Sequence, residues 1–145
     1  MAITTAMCNS FKQELLGGVH DLDTDTLKVA LIKESPTGTY GASTTNYSDI
    51  TDNSDEAVGT NYTAGGQALD SAVISLSGST AIVDFADEVF SNLTISADGA
   101  IIYNSSQGNK AIAVFDFGST VTSTSGDFTV VFPTADASNA VIRIS

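Results

Sequence analysis

From Leu27 onward the apolar residues of this chain recur at every second position in short runs, and that period of two constrains the fold more than any other feature. Leu27, Val29 and Leu31 alternate with Lys28, Ala30 and Ile32 until Lys33-Glu34-Ser35-Pro36 stops the run. Ala72–Leu76 and Ala81–Phe85 flank Ser77-Gly78-Ser79-Thr80, which reads as a four-residue hairpin connection. Ala100–Tyr103, Ala111–Phe117, Phe128–Phe132 and Val141–Ile144 follow, separated by segments rich in Ser, Thr, Asn, Asp and Gly. Ala113, Phe115 and Phe117 are expected to face one way, with Phe128, Val130 and Phe132 as neighbours and Ile142 and Ile144 completing the layer. The expectation is a mainly β fold of about seven strands, an antiparallel β-sandwich or partly closed barrel.

One segment breaks the rule. Between Thr4 and Val19, Met7, Cys8, Phe11, Leu15 and Val19 recur at three- and four-residue steps, which predicts an N-terminal α-helix over about 4–18. Thr4 or Thr5 would cap its start, and Gly17-Gly18 would supply the left-handed residue at its end. The chain is expected to form a single domain over 1–145, with the β region running from about 26 to 145. A stretch of about 35–66 has no sustained period and reads as a long loop anchored by Tyr40, Tyr47 and Tyr62. It would either carry a short strand near Gly59–Thr63 or become ordered only against a partner.

Composition narrows the function classes. The 145 residues suffice for an ordinary core, burying roughly 70% of the surface the unfolded chain exposes. Seventeen acidic residues face five basic ones, for a net charge of −12. Lys12, Lys28, Lys33, Lys110 and Arg143 are too scattered to neutralise several phosphates, so neither nucleic acid nor an anionic membrane is an expected partner. Charged residues make up only 15%, while 18 Ser and 18 Thr supply hydroxyls as the polar surface. No signal-peptide pattern or membrane-length apolar run is found. Cys8, the one cysteine, reads as a small buried hydrophobe. The N-x-Ser/Thr triplets at Asn46, Asn61, Asn92 and Asn104 read as loop chemistry in so Ser/Thr-rich a chain.

The candidate sites are few. Asp21, Asp23 and Asp25 imitate the opening of a calcium loop, but Thr26 stands where the turn needs Gly and Ile32 where it needs a bidentate Glu. The expectation is a helix-to-strand turn with Asp side chains bonding local amides. Asp49, Asp52, Asp55 and Glu56 form a second acidic group in the long loop, expected to stay solvated rather than to hold a cation. His20 is the sole histidine, so any nucleophilic machinery would run through it and a partner such as Cys8. No phosphate loop or zinc spacing occurs. Catalytic, cofactor and metal residues are therefore expected to be none, and the chain is not expected to be an enzyme.

The segments from Met7 to His20 and from Thr24 to Leu31, with Thr63-Ala64-Gly65-Gly66, Ala81–Asp87, Ala100–Ser105 and Ala111–Gly118, resemble small virion proteins of tailed bacteriophages, including those infecting aquatic bacteria. The resemblance covers nearly the whole chain apart from the stretch between Pro36 and Gly59. It implies a virion structural protein made in the host bacterial cytoplasm. The favoured position is a head decoration or cement protein on the outer capsid surface, contacting the major capsid protein and copies of itself as a trimer. Tyr40, Tyr47 and Tyr62 would form the protein-contact loop, since Tyr supplies contact area at little entropic cost. The alternative is a tail component: a fibre, adaptor or receptor-recognition domain.

Overall fold

In a computed structural model describing residues 2–70 and 72–145, the chain is mainly β with antiparallel sheets and a short N-terminal helix. Among the described residues eight strands form: β1 (Ala6–Met7), β2 (Leu27–Lys33), β3 (Gln67–Ala68), β4 (Val73–Ser77), β5 (Thr80–Asp84), β6 (Glu88–Asn104), β7 (Lys110–Val130) and β8 (Ile142–Ile144). They make a five-stranded sheet in the order β1-β7-β6-β2-β3 and a three-stranded sheet in the order β4-β5-β8. Val83, Phe85 and Ile142 of the smaller sheet and its flank share one core with Val29, Leu31, Ile101 and Val114 of the larger. No helix among the described residues is long and apolar enough to cross a membrane.

The helix is shorter than the periodicity predicts. Ala6 and Met7 pair with Val114 and Ala113 of β7, and the Cys8 amide donates to the Ile112 carbonyl at 2.9 Å, so the chain stays extended through Cys8. Helix α1 therefore spans Asn9–Leu16, without a side-chain cap; neither Thr4 nor Thr5 starts it. Its first amide, that of Asn9, is satisfied instead by the Ala42 carbonyl of the long loop at 2.8 Å. The predicted ending holds at Gly18, which has a φ of 73°.

The larger difference lies in β6 and β7, strands of 17 and 21 residues. Residues 88–98 belong to a strand that the alternation leaves unmarked, and Ser123–Asp127 lies inside β7 rather than in a turn between two strands. Register shifts explain why the pattern hides them. At one, Asp98 alone faces the four residues between Asp116 and Val121, so alternation restarts on the other side of the irregularity. Gly99 permits the close approach there, because a Cβ would stand 2.3 Å from the Phe115 carbonyl oxygen. The resulting ribbon curls strongly. Phe117 and Phe128, eleven residues apart on β7, bring their ring centroids to 6.0 Å, where a straight strand would hold them about 36 Å apart. The expected neighbours thus do meet, as do Phe115 and Phe132 at 6.1 Å.

The β4–β5 hairpin is tighter than expected. Ser77 pairs with Thr80, leaving a two-residue turn in which Gly78 takes a φ of 62°. No strand forms at 59–63; the segment makes one antiparallel bridge, Thr60 to Thr94. In β2 the alternation fails for a different reason, since Val29, Ala30, Leu31 and Ile32 are all buried. Lys28 pairs with Tyr103, on which Tyr47 of the loop stacks at 4.6 Å, so the loop covers the face that Ala30 and Ile32 share with Lys28.

Gly66 sets how closely β3 approaches β2. It holds a φ of 74°, and a Cβ there would lie 1.8 Å from the Val29 carbonyl oxygen, so backbone rather than a movable side chain blocks any larger residue. Gly66→Ala is expected to lower stability by about 3 kcal/mol in a denaturant titration, through strain plus displacement of β3.

Candidate functional site

Residues 34–66 contain only one short helix, α2 (Ser48–Thr51), yet two adjacent carboxylates give them a fixed shape. Asp55 is fully buried. One carboxylate oxygen accepts from the Thr37 amide at 3.0 Å, and the other from the Gly38 amide at 2.8 Å and the Tyr40 hydroxyl at 2.6 Å. The Lys33 ammonium lies 2.9 Å away. Burial alone would raise the Asp55 pKa, but these donors outweigh it and hold the carboxyl well below the usual carboxylate range. The buried Tyr40 hydroxyl is pushed up to about 12 by burial and by its bond to Asp55.

Glu56 organises the other half of the loop. It accepts from the Tyr62 hydroxyl at 2.9 Å, from the Gly65 amide at 2.6 Å and from the Tyr47 hydroxyl. The Tyr62 oxygen also accepts the Leu31 amide of β2 at 2.9 Å, which ties the loop to the sheet. Burial, together with the Glu56 charge, pushes Tyr47 and Tyr62 upward, so both stay protonated as donors. The three tyrosines expected to form the protein-contact loop point their hydroxyls inward, to Asp55 and Glu56. The acidic group expected to stay solvated is likewise corrected: Asp55 and Glu56 anchor the loop, and Asp49 accepts the Thr45 amide at 2.8 Å.

Asp21, Asp23 and Asp25 form the expected turn. Asp21 accepts the Asp23 amide at 3.1 Å and Asp25 accepts the Asp21 amide at 3.0 Å. Asp25 reaches further, accepting Asn104 Nδ2 at 2.7 Å, and this bond above all lowers its pKa. Asn104 Nδ2 also lies 3.0 Å from His20 Nδ1, while His20 Nε2 lies 3.4 Å from Glu14. Asn104 can only donate through this nitrogen, so the network places the imidazole proton on Nε2, facing Glu14. The resulting Glu14–His20–Asn104–Asp25 chain joins α1, the following turn and the end of β6. It contains no nucleophile. The Cys8 thiol contacts the Gly41 carbonyl at 3.8 Å instead, and burial pushes it up to about 12, which leaves it an unreactive thiol. Among the described residues, no group of three His, Cys, Asp or Glu side chains is placed to hold a metal ion.

Apolar side chains reach the surface around α1, β4 and β8, besides isolated ones such as Val58 and Val131 elsewhere. Leu16 at the end of α1 is 92% exposed and Leu76 of β4 is 72% exposed, with Val73, Ile74 and Ile144 about half exposed. Cross-strand pairing aligns Ile74, Val83 and Ile142 in one row and Leu76, Ala81 and Ile144 in the next. A cleft of about 430 Å³ separates this face from Leu15, His20 and Leu22, and a second of about 280 Å³ continues between Leu16 and Ile144. Lys12 and Arg143 edge the second cleft, so two of the five basic residues stand beside the band. The sequence carries a trace of it: no charged residue occurs between Asp70 and Asp84.

Set against protein-family models, curated proteins and solved structures, the chain finds no match. The likeness to virion proteins thus rests on the segments quoted above.

Asp55 supplies a pH-dependent test. A depressed folded-state pKa contributes stability that is fully present above the unfolded value of about 3.9 and is lost as pH falls below it. The melting temperature is expected to drop through this acid range, and Asp55→Asn is expected to flatten that drop. At neutral pH the same variant should cost about 2–4 kcal/mol, because the Thr37, Gly38 and Lys33 donors lose their charged acceptor.

Proposed function

We propose that this chain is a non-enzymatic structural subunit of a bacteriophage virion, a decoration protein seated on the outer capsid surface. The band of Leu16, Ile74, Leu76 and Ile144 carries this reading, because a contiguous apolar surface on an acidic chain marks a place where another protein sits. The two sheets around one core are read as a sandwich, a rigid clamp in which the buried Asp55 and the half-buried Glu56 stiffen the loop. The partners are the major capsid protein and copies of this chain. Lys12 and Arg143 beside the band favour a partner surface with acidic residues around an apolar centre.

The mechanism is mass action. A subunit that binds only the assembled lattice stabilises that state by RT ln(1 + [L]/Kd) at each site, about 2.7 kcal/mol at a concentration a hundredfold above Kd. Repetition over the shell raises the barrier to rupture under internal pressure.

The test uses capsids stripped of this protein. Added chain is expected to co-sediment with them in hundreds of copies and to raise the temperature at which DNA escapes. Leu16→Glu combined with Ile144→Glu should weaken binding about tenfold or more, equivalent to at least 1.4 kcal/mol, while leaving the melting temperature of the isolated chain nearly unchanged. Particle imaging that finds the chain only in the tail, at low copy number, rejects the decoration role in favour of a tail component.

A further inference from the structure

Among the described residues, sheet edges are guarded, with one exception. The free edge of β7 carries Asp116 and Asp127, is broken by register shifts, and turns through positive φ at Gly118 and Ser125. β1 and β3 have two residues each, and β8 has three with Arg143 at its centre. Charges, bulges and shortness are the devices by which sheets avoid edge-to-edge pairing. β4 has five residues and, among the described residues, pairs only with β5 in an unshifted ladder. Val73, Ile74, Ser75 and Leu76 are exposed, and the strand holds no charge and no proline. It is a flat, neutral edge with a row of backbone donors and acceptors facing out.

We infer that β4 is a self-association edge, pairing antiparallel with β4 of a second copy about a two-fold axis at Ser75. Self-complementarity decides for a second copy, since an antiparallel edge of five residues pairs with itself in full, and charge leaves this one approach open. Two chains of net charge −12 repel wherever their acidic surfaces meet, and β4 is the strand edge where they can approach without opposing carboxylates. Asp84, beside Val73, is the nearest acid across the ladder. In the pair its counterpart lies three inter-strand spacings across and four residues along, about 20 Å away, beyond the Debye length of about 8 Å at physiological salt. Centring on Ser75 pairs all five residues, sets Ile74 against Leu76 of the other copy, and keeps both on one face. The result is a continuous six-stranded sheet, β8-β5-β4-β4-β5-β8, in place of the trimer expected from lattice symmetry. The partner is thus named within the structural role proposed above, but the contact belongs to the isolated chain, so capsid binding stands or falls separately.

Position 75 tests this in both directions. Sedimentation equilibrium of the unmodified chain should show a monomer–dimer equilibrium at micromolar to submillimolar concentration. Ser75→Glu, which opposes two carboxylates at the axis, should abolish the dimer while circular dichroism and melting stay unchanged at this exposed site. Ser75→Cys brings two Cβ atoms to roughly 5 Å and should form disulfide-linked dimers in air. Ser119→Cys, on the guarded β7 edge, should form them far more slowly, and buried Cys8 should not contribute. A chain that stays monomeric throughout, a trimer, a Ser75→Glu dimer, or equal cross-linking at positions 75 and 119 would each overturn the inference.

Discussion

The Asp55 carboxylate is the interaction on which the long irregular segment of this chain depends. Residues 34–66 have no sheet or long helix to satisfy their backbone, so their amides need acceptors within the loop. An ionised carboxylate can accept several strong bonds at once, and Asp55 gathers the Thr37 and Gly38 amides, the Tyr40 hydroxyl and the Lys33 ammonium. Next to it Glu56 gathers Tyr47, Tyr62 and Gly65. The two residues turn a polar segment into a lid over β2 and β6, and that lid allows four consecutive residues of β2 to be buried.

Order on that side of the molecule contrasts with openness on the other. The small sheet β4-β5-β8 buries Val83 and Ile142 but leaves Ile74, Leu76 and Ile144 in contact with water beside the end of α1. Every other long edge is broken by a bulge or marked by an acid. The apolar band and the unguarded strand β4 therefore concentrate the capacity for protein contact in one region of an acidic surface. The proposed capsid and self contacts use different parts of it: the face between α1 and β8 for one, and the free edge of β4 for the other.

Legibility followed the physics of each element. β2 and β5 were readable as short apolar runs bounded by turn residues, although consecutive residues of both are buried, and the Phe117–Phe128 pairing was readable from the alternation on either side of the curl. The merged strands β6 and β7 were not, because the register shift opposite Asp98 changes which side chains point inward without leaving a composition signal. The start of α1 was misplaced since a helical spacing at Met7 and Cys8 cannot reveal that β7 already holds the Cys8 amide. The tyrosines read as loop anchors turn their hydroxyls toward Asp55 and Glu56. Their direction depends on the placement of Asp55 and Glu56 under the loop, which no local pattern records.

By itself the sequence determined the class of fold, the acidic surface and the scarcity of cations, because these follow from period, counts and charge, which no arrangement of the chain can alter. The tertiary structure decided which carboxylates are anchors and which are solvated, which tyrosines face inward, and which strand becomes an unguarded edge. The reason is that burial and pairing are relations between distant segments: Lys33 with Asp55, Asn104 with His20, and β4 with only one neighbour. The uncharged run between Asp70 and Asp84 is visible in the sequence, but only the sheet order makes it a free edge.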